Sequence, residues 1–190
     1  MKRTTLLLSA ALLGLSACAN GDGGAPLAKM SFDHLTPYPL YVASYEVSQS
    51  PAVSSAQIPE GFVANPANIA DAYFTSRFTK AGTQGKLHVT VDSMSVTHHI
   101  EDSKNSIGAF IGVDHHDVYK ITLSVRIDAY GIGETQEESN TITAHRTVSI
   151  SEHDSIVERE RAQMDAIDSL IDDLDVAVRK VLSEQFHLMH

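Results

Sequence analysis

The chain has 190 residues, with 24 acidic against 14 basic side chains and a formal charge of −10 at neutral pH. An acid excess of this size is repelled by nucleic acid and by anionic lipid surfaces, which excludes nucleic acid as a partner. Tryptophan is absent and aromatic residues are 6% of the chain, which argues against a broad stacking platform; the length suits one domain with one core.

The chain opens MKRTTLLLSAALLGLSACAN. Lys2 and Arg3 precede an apolar run from Leu6 to Leu15. A bilayer span needs about 20 apolar residues. This run is too short to cross and has the charge order of a secretory leader. It ends in Leu15-Ser16-Ala17-Cys18, and Cys18 is the only cysteine in the chain. Basic start, apolar run and box in this order resemble the leader and lipobox of bacterial lipoproteins, over roughly the first twenty residues.

The resemblance implies cleavage before Cys18, a diacylglycerol on its sulfur and an acyl chain on the freed amino group. Ala19 stands where aspartate commonly retains such proteins in the inner membrane. The resemblance therefore implies the periplasmic face of the outer membrane. With Cys18 acylated, no thiol remains for a disulfide, so the core must hold without a covalent staple. Residues 1–17 are expected to be the leader, 18–31 the lipidated cysteine with a flexible tether, and 32–190 a single periplasmic domain. Losing Lys2 and Arg3 with the leader takes the basic count to 12 and the charge to −12.

Residues Ala19 to Met30, rich in glycine, alanine and proline, read as the tether. Pro39 to Ser48 reads as a strand, and Ser50 to Val63 as a loop carrying Pro51, Pro59 and Gly61. Asn65 and Pro66 suit a helix cap and first turn, and Gly82 suits a left-handed C-terminal stop. Between them Ile69, Tyr73, Phe74, Phe78 and Ala81 form one helical stripe. Lys86 to Glu101 alternates as a strand. Leu87, Val89 and Val91 have one parity and Met94 and Val96 the other, so a bulge near Asp92-Ser93 is expected. Val118 to Ala129 alternates cleanly, Gly131 opens a hairpin loop, and Ser139 to Ile150 forms a further strand with Arg146 on its inward parity. Ser155 and Glu158 make a capping box for a long helix reaching about Phe186. Its stripe runs through Val157, Met164, Ile167, Ile171, Leu174 and Val178. Asp168, Asp172, Asp173 and Asp175 read as a solvated face.

The order β-α-β-β-β-α predicts a two-layer α+β domain, with two helices on one face of a mainly antiparallel four-stranded sheet. This order and the anchor are similar to small periplasmic auxiliary lipoproteins of envelope transport systems, including the ABC-transporter auxiliary and lipopolysaccharide-assembly lipoproteins. The stretch from Asn65 to Leu87 also reads like small proteobacterial lipoproteins of no assigned role. The likeness is one of architecture. It implies an accessory that binds a partner protein of the envelope.

Two features carry the candidate chemistry. His98-His99 and Asp114-His115-His116-Asp117 flank one loop, and strand alternation lets one histidine of each pair share a side. His99, His116 and Asp114 form a candidate metal set of imidazole and carboxylate, although the spacing fits no standard zinc signature. The alternatives are a pH-responsive loop and plain exposed histidines. The second feature is the apolar loop tip from Ile107 to Val113. Ile107, Phe110 and Ile111 are candidate contacts to a partner or to lipid, unless the tip folds back on the sheet edge. Arg146 suits a rim position or a pair with an acid of the last helix. No G-x-S-x-G, H-E-x-x-H or phosphate loop is present, so a non-catalytic role without a cofactor is expected.

The anchor has a direct check. Cells fed labelled palmitate should incorporate label into the native chain and none into Cys18→Ser. Equal labelling of both would overturn the lipobox reading.

Overall fold

Long alternating runs of apolar residues build the centre of the molecule. The computed structural model describes residues 30–103, 114–132 and 135–189. The elements in chain order are β1 (Tyr38–Leu40), β2 (Ser44–Gln49), α1 (Pro51–Ser54), α2 (Pro66–Arg77), β3 (Phe78–Lys80), β4 (Lys86–Ser103), β5 (Asp114–Ile132), β6 (Thr135–Ser151) and α3 (Ile156–Lys180). A π-helical turn, Val181–Gln185, continues α3. The main sheet has the order β2-β4-β5-β6. β2 lies parallel to β4, while β4, β5 and β6 form an antiparallel meander. This is the α+β class that the sequence predicts, with a parallel edge strand.

The bulge falls where the parity changes. Val91 pairs with Val125 and Ser93 with Ser124, so Asp92 is the extra residue. Leu87, Val89 and Val91 before it, and Met94 and Val96 after it, are therefore all buried. The Asp92 carbonyl accepts a 2.5 Å hydrogen bond from Ser50 Oγ. On β5 the residues from Tyr119 to Ala129 of odd number are buried as expected. Their core cluster includes Phe74 of α2 and Ile167, Leu170, Ile171, Leu174 and Val178 of α3.

Four local expectations are corrected. The run from Pro39 to Ser48 is two short strands, because Leu40 turns to pair with β3 while Ser44 onward joins β4. The segment from Ser50 to Val63 contains the helical turn α1. Helix α2 has its expected Asn65 cap, whose side chain accepts from Ala67 N and Asn68 N, but it ends at Arg77. Phe78 is extended there and buries its ring against Phe74 at a centroid distance of 6.5 Å. Gly82 is therefore no helix stop. Its N–H donates to Val42 O at 3.1 Å, and a Cβ there would sit 2.6 Å from the Val42 nitrogen. Glycine is needed because two backbones touch.

The fourth correction concerns the acidic run of α3. The helix starts as expected: Ser155 Oγ accepts from Glu158 N, and the Glu158 carboxylate accepts from Ser155 N at 2.9 Å. The Ser155 hydroxyl, which donates to the same carboxylate at 2.7 Å, and then the Ser155 N–H hold the Glu158 carboxyl below its ordinary value. Asp173 pairs with Arg146 at 2.6 Å, which accounts for the charge on the inward parity of β6. Asp175, however, is buried between Arg77 at 3.5 Å and Arg179 at 2.7 Å. Arg77 also donates to Tyr73 Oη and to Thr36 O, and stacks over Tyr38 at 3.9 Å. At the other end of the apolar stripe, Ile156 and Val157 are exposed.

Gly82→Ala tests the close approach. Overpacking against backbone typically costs about 1–3 kcal/mol. Urea unfolding should show a loss in that range, and an unchanged midpoint would mean that the Tyr41–Val42 segment has room to move.

Candidate functional site

Cross-strand register determines which side chains meet at the far end of the β4–β5 hairpin. Pairing continues to Ser103↔Asp114, while β6 stops at Ser151, opposite His116. After the bulge, His98, Ile100 and Asp102 share a side with Tyr119, Asp117 and His115. His99 and Glu101 lie on the other side with Val118 and His116. Each histidine pair therefore divides between the faces, as strand alternation requires.

On the helix side, Asp117 is the central group. Its carboxylate accepts from Arg159 of α3 and lies 2.7 Å from His98 Nε2. His98 stacks on Tyr119 at 4.6 Å, and Tyr119 contacts Phe62 at 5.3 Å. Arg159 also donates to Ser151 O at 3.0 Å, fastening the start of α3 to the end of β6. Beyond it, His115 Nδ1 lies 2.8 Å from Asp102, and Glu152 N donates to His115 O at 3.1 Å. A cleft of about 430 Å³ is lined by Ile100, Asp102, His115, Asp117 and Glu152. A second, of about 390 Å³, lies across Asp117 and reaches Tyr119, Ile156 and Arg159. Ile100 is 63% exposed and Ile156 73% exposed, so each cleft has an uncovered apolar wall.

The candidate metal residues occupy three different settings. His99 Nε2 lies 2.9 Å from Glu101. His116 stands opposite Glu101 on the adjacent strand. Asp114 is 3.5 Å from His153 Nε2, in the turn after β6. Among the described residues, the donor group that converges within 4.8 Å is Asp114, Glu152 and His153, without His99 or His116. Glu152, His153 and Arg159 carry no local motif. The signal that would have found them is the β5–β6 hairpin, whose pairing from Ile132↔Thr135 places Ser151 beside His116. Cys18, Ile107, Phe110 and Ile111 lie outside the described residues.

Two other places hold polar chemistry. A cleft of about 540 Å³ between Met30–Leu35 and the two long helices is lined by Tyr73, Arg77, Asp168, Asp172 and Asp175. Burial, then Asp172 and Asp165, push the Asp168 carboxyl above its ordinary value. Burial, then Asp175, push the Tyr73 hydroxyl upward. On the polar face of the sheet, Ser48 Oγ lies 2.8 Å from His88 Nε2, a pair that the sequence reading missed. The nearby carboxylates are bonded elsewhere, Glu46 to Lys86 and Asp128 to Ser139 and Arg126.

No family model and no curated protein matches the chain. Several solved structures of bacterial lipoproteins are weakly similar. A minor lipoprotein from Acinetobacter baumannii has 12% identity and a TM-score of 0.38, covering 77% of this chain and 97% of that one. Rare lipoprotein B from Shewanella oneidensis has 12% identity and a TM-score of 0.34, covering 74% and 94%. A lipoprotein from Neisseria meningitidis has 12% identity and a TM-score of 0.30, covering 75% and 99%. The likeness is too slight to say anything of this chain's role.

Arg159 first, and His98 second, hold the Asp117 carboxyl below its ordinary value. A carboxylate lowered in the folded state adds stability that is present above the ordinary value and lost as pH falls through the lowered one. The gap in urea midpoint between the native chain and Asp117→Asn should therefore hold above about pH 5 and narrow as pH falls from about 4 towards about 2. A gap that stays constant over this window would mean that the Asp117 charge contributes nothing.

Proposed function

We propose that the chain is a lipoprotein anchored through Cys18 at the periplasmic face of the outer membrane. In this reading its domain is a non-catalytic accessory that binds a protein of envelope transport or assembly. The anchor reading rests on Leu15-Ser16-Ala17-Cys18 at the end of the leader. The binding reading rests on one observation: Ile100 and Ile156 are uncovered at one end of the molecule, beside clefts lined by charged groups. Apolar side chains rimmed by polar ones favour burial against another surface.

The same end offers a backbone edge. Among the described residues, β2 pairs with β4 only from Lys86 to Val91, α1 packs against β4 next, and from Ser93 to Ser103 the one strand paired with β4 is β5. An unpaired edge presents N–H and C=O groups to a partner strand. The anchored protein would thus offer a hairpin end with apolar anchors and a strand edge together. The polar sheet face, carrying Ser48, His88 and Asp128, is the secondary surface of this reading.

A photo-crosslinker at Ile100, in the full chain in its native envelope, tests the site. It should give discrete adducts with envelope transport or assembly subunits, and Ile156→Asp should reduce them. Val176, 60% exposed on α3, is the control position. Identical adducts from both positions would remove the hairpin end as the binding surface.

A further inference from the structure

We infer that Asp114, Glu152 and His153 form a binding site for a divalent transition ion of the zinc type. The inference goes beyond the accessory role and does not depend on it. Asp114 opens β5, and Glu152 and His153 form the turn between β6 and α3, so the three come from two places joined by the sheet. His153 Nε2 lies 3.5 Å from Asp114 Oδ1 and 3.9 Å from Glu152 Oε1, and all three donor atoms fall within 4.8 Å of one another. Donors around a tetrahedral zinc at its usual bond lengths are separated by about 3.3–3.5 Å. The observed separations need only small rotations of exposed side chains to close on an ion.

The turn is built before any ion arrives. Ser151 N donates to Asp154 Oδ2 at 2.9 Å, His153 N to Ser151 Oγ at 3.2 Å, and Glu152 N to His115 O at 3.1 Å. These bonds fix the backbone that carries two of the ligands, leaving side-chain rotation as the main ordering cost. Two carboxylates on a chain of charge −10 favour a cation. The imidazole selects against calcium and magnesium, which prefer oxygen ligands, and toward zinc or copper. Three protein ligands leave a coordination position open to water or to a donor from another molecule. The bound ion would tie the start of β5 to the start of α3, next to Ile100 and the clefts.

The test is a zinc titration of the untagged full chain in detergent, against a chromophoric chelator. One zinc per chain is expected. His153→Ala and Asp114→Asn should each weaken uptake by about tenfold or more. The His99→Ala, His116→Ala double variant should bind as the native chain does. The substituted side chains are exposed, and thermal melts will confirm that each variant is folded. No saturable uptake by the native chain, or native uptake by folded His153→Ala and Asp114→Asn, would overturn the site. Loss confined to the His99, His116 double variant would also overturn it and assign the ion to the outer face of the hairpin.

Discussion

One extra residue in β4 controls which side of the sheet most of the chemistry occupies. Without Asp92 as a bulge, Met94 and Val96 would face water, and His99 and Glu101 would turn toward the helices. With it, the apolar face is continuous, and His98 reaches Asp117 on the side where Arg159 stands. The pairing of Ser50 with the bulge carbonyl ties this register to the connection between β2 and α2. The placement of the histidines at the hairpin end is thus a consequence of core packing some six residues earlier in the strand.

The other fixed point is electrostatic. Asp175 is buried with Arg77 and Arg179, and Arg77 reaches the segment before β1 through Thr36 O. Breaking a buried pair costs about 3–5 kcal/mol because the surviving charge has no partner, whereas an apolar replacement of the whole pair can be neutral. The network therefore works chiefly by specifying position. It holds α2, α3 and the N-terminal end of the domain in one arrangement, in a chain whose only cysteine is expected to carry lipid and not a disulfide.

Elements with strong period-two or helical patterning were legible in the sequence, down to the bulge, the Asn65 cap and the Ser155 capping box. What could not be read depends on contacts distant in sequence. Gly82 carries the signature of a helix stop, but its reason is the backbone of Tyr41 and Val42, forty residues earlier. Asp175 stands four residues after Ile171 and three before Val178, on the apolar stripe itself, but the partner that lets a carboxylate be buried there, Arg77, arrives from α2 and has no signal in the spacing. Asp114 was singled out for its neighbours in sequence, His115 and His116. Its carboxylate instead meets His153, because the β5–β6 hairpin brings the turn after β6 back to the start of β5.

The contrast between the two ends separates scaffold from site. At the hairpin end His99–Glu101, His115–Asp102 and His153–Asp114 are exposed pairs, a class that contributes about 0–1 kcal/mol each. Stability alone does not account for gathering them in one place. Protection of an open edge accounts for part of it, since charged side chains discourage chance pairing with another strand. Protection does not account for Ile100, exposed in the middle of that edge, nor for Ile156 across the neighbouring cleft. A guarded edge excludes apolar anchors, whereas a recognition edge combines them with charges that select the partner. The exposed Ile100 and Ile156 beside these charges are what favours the second description, the reading proposed for this end of the domain.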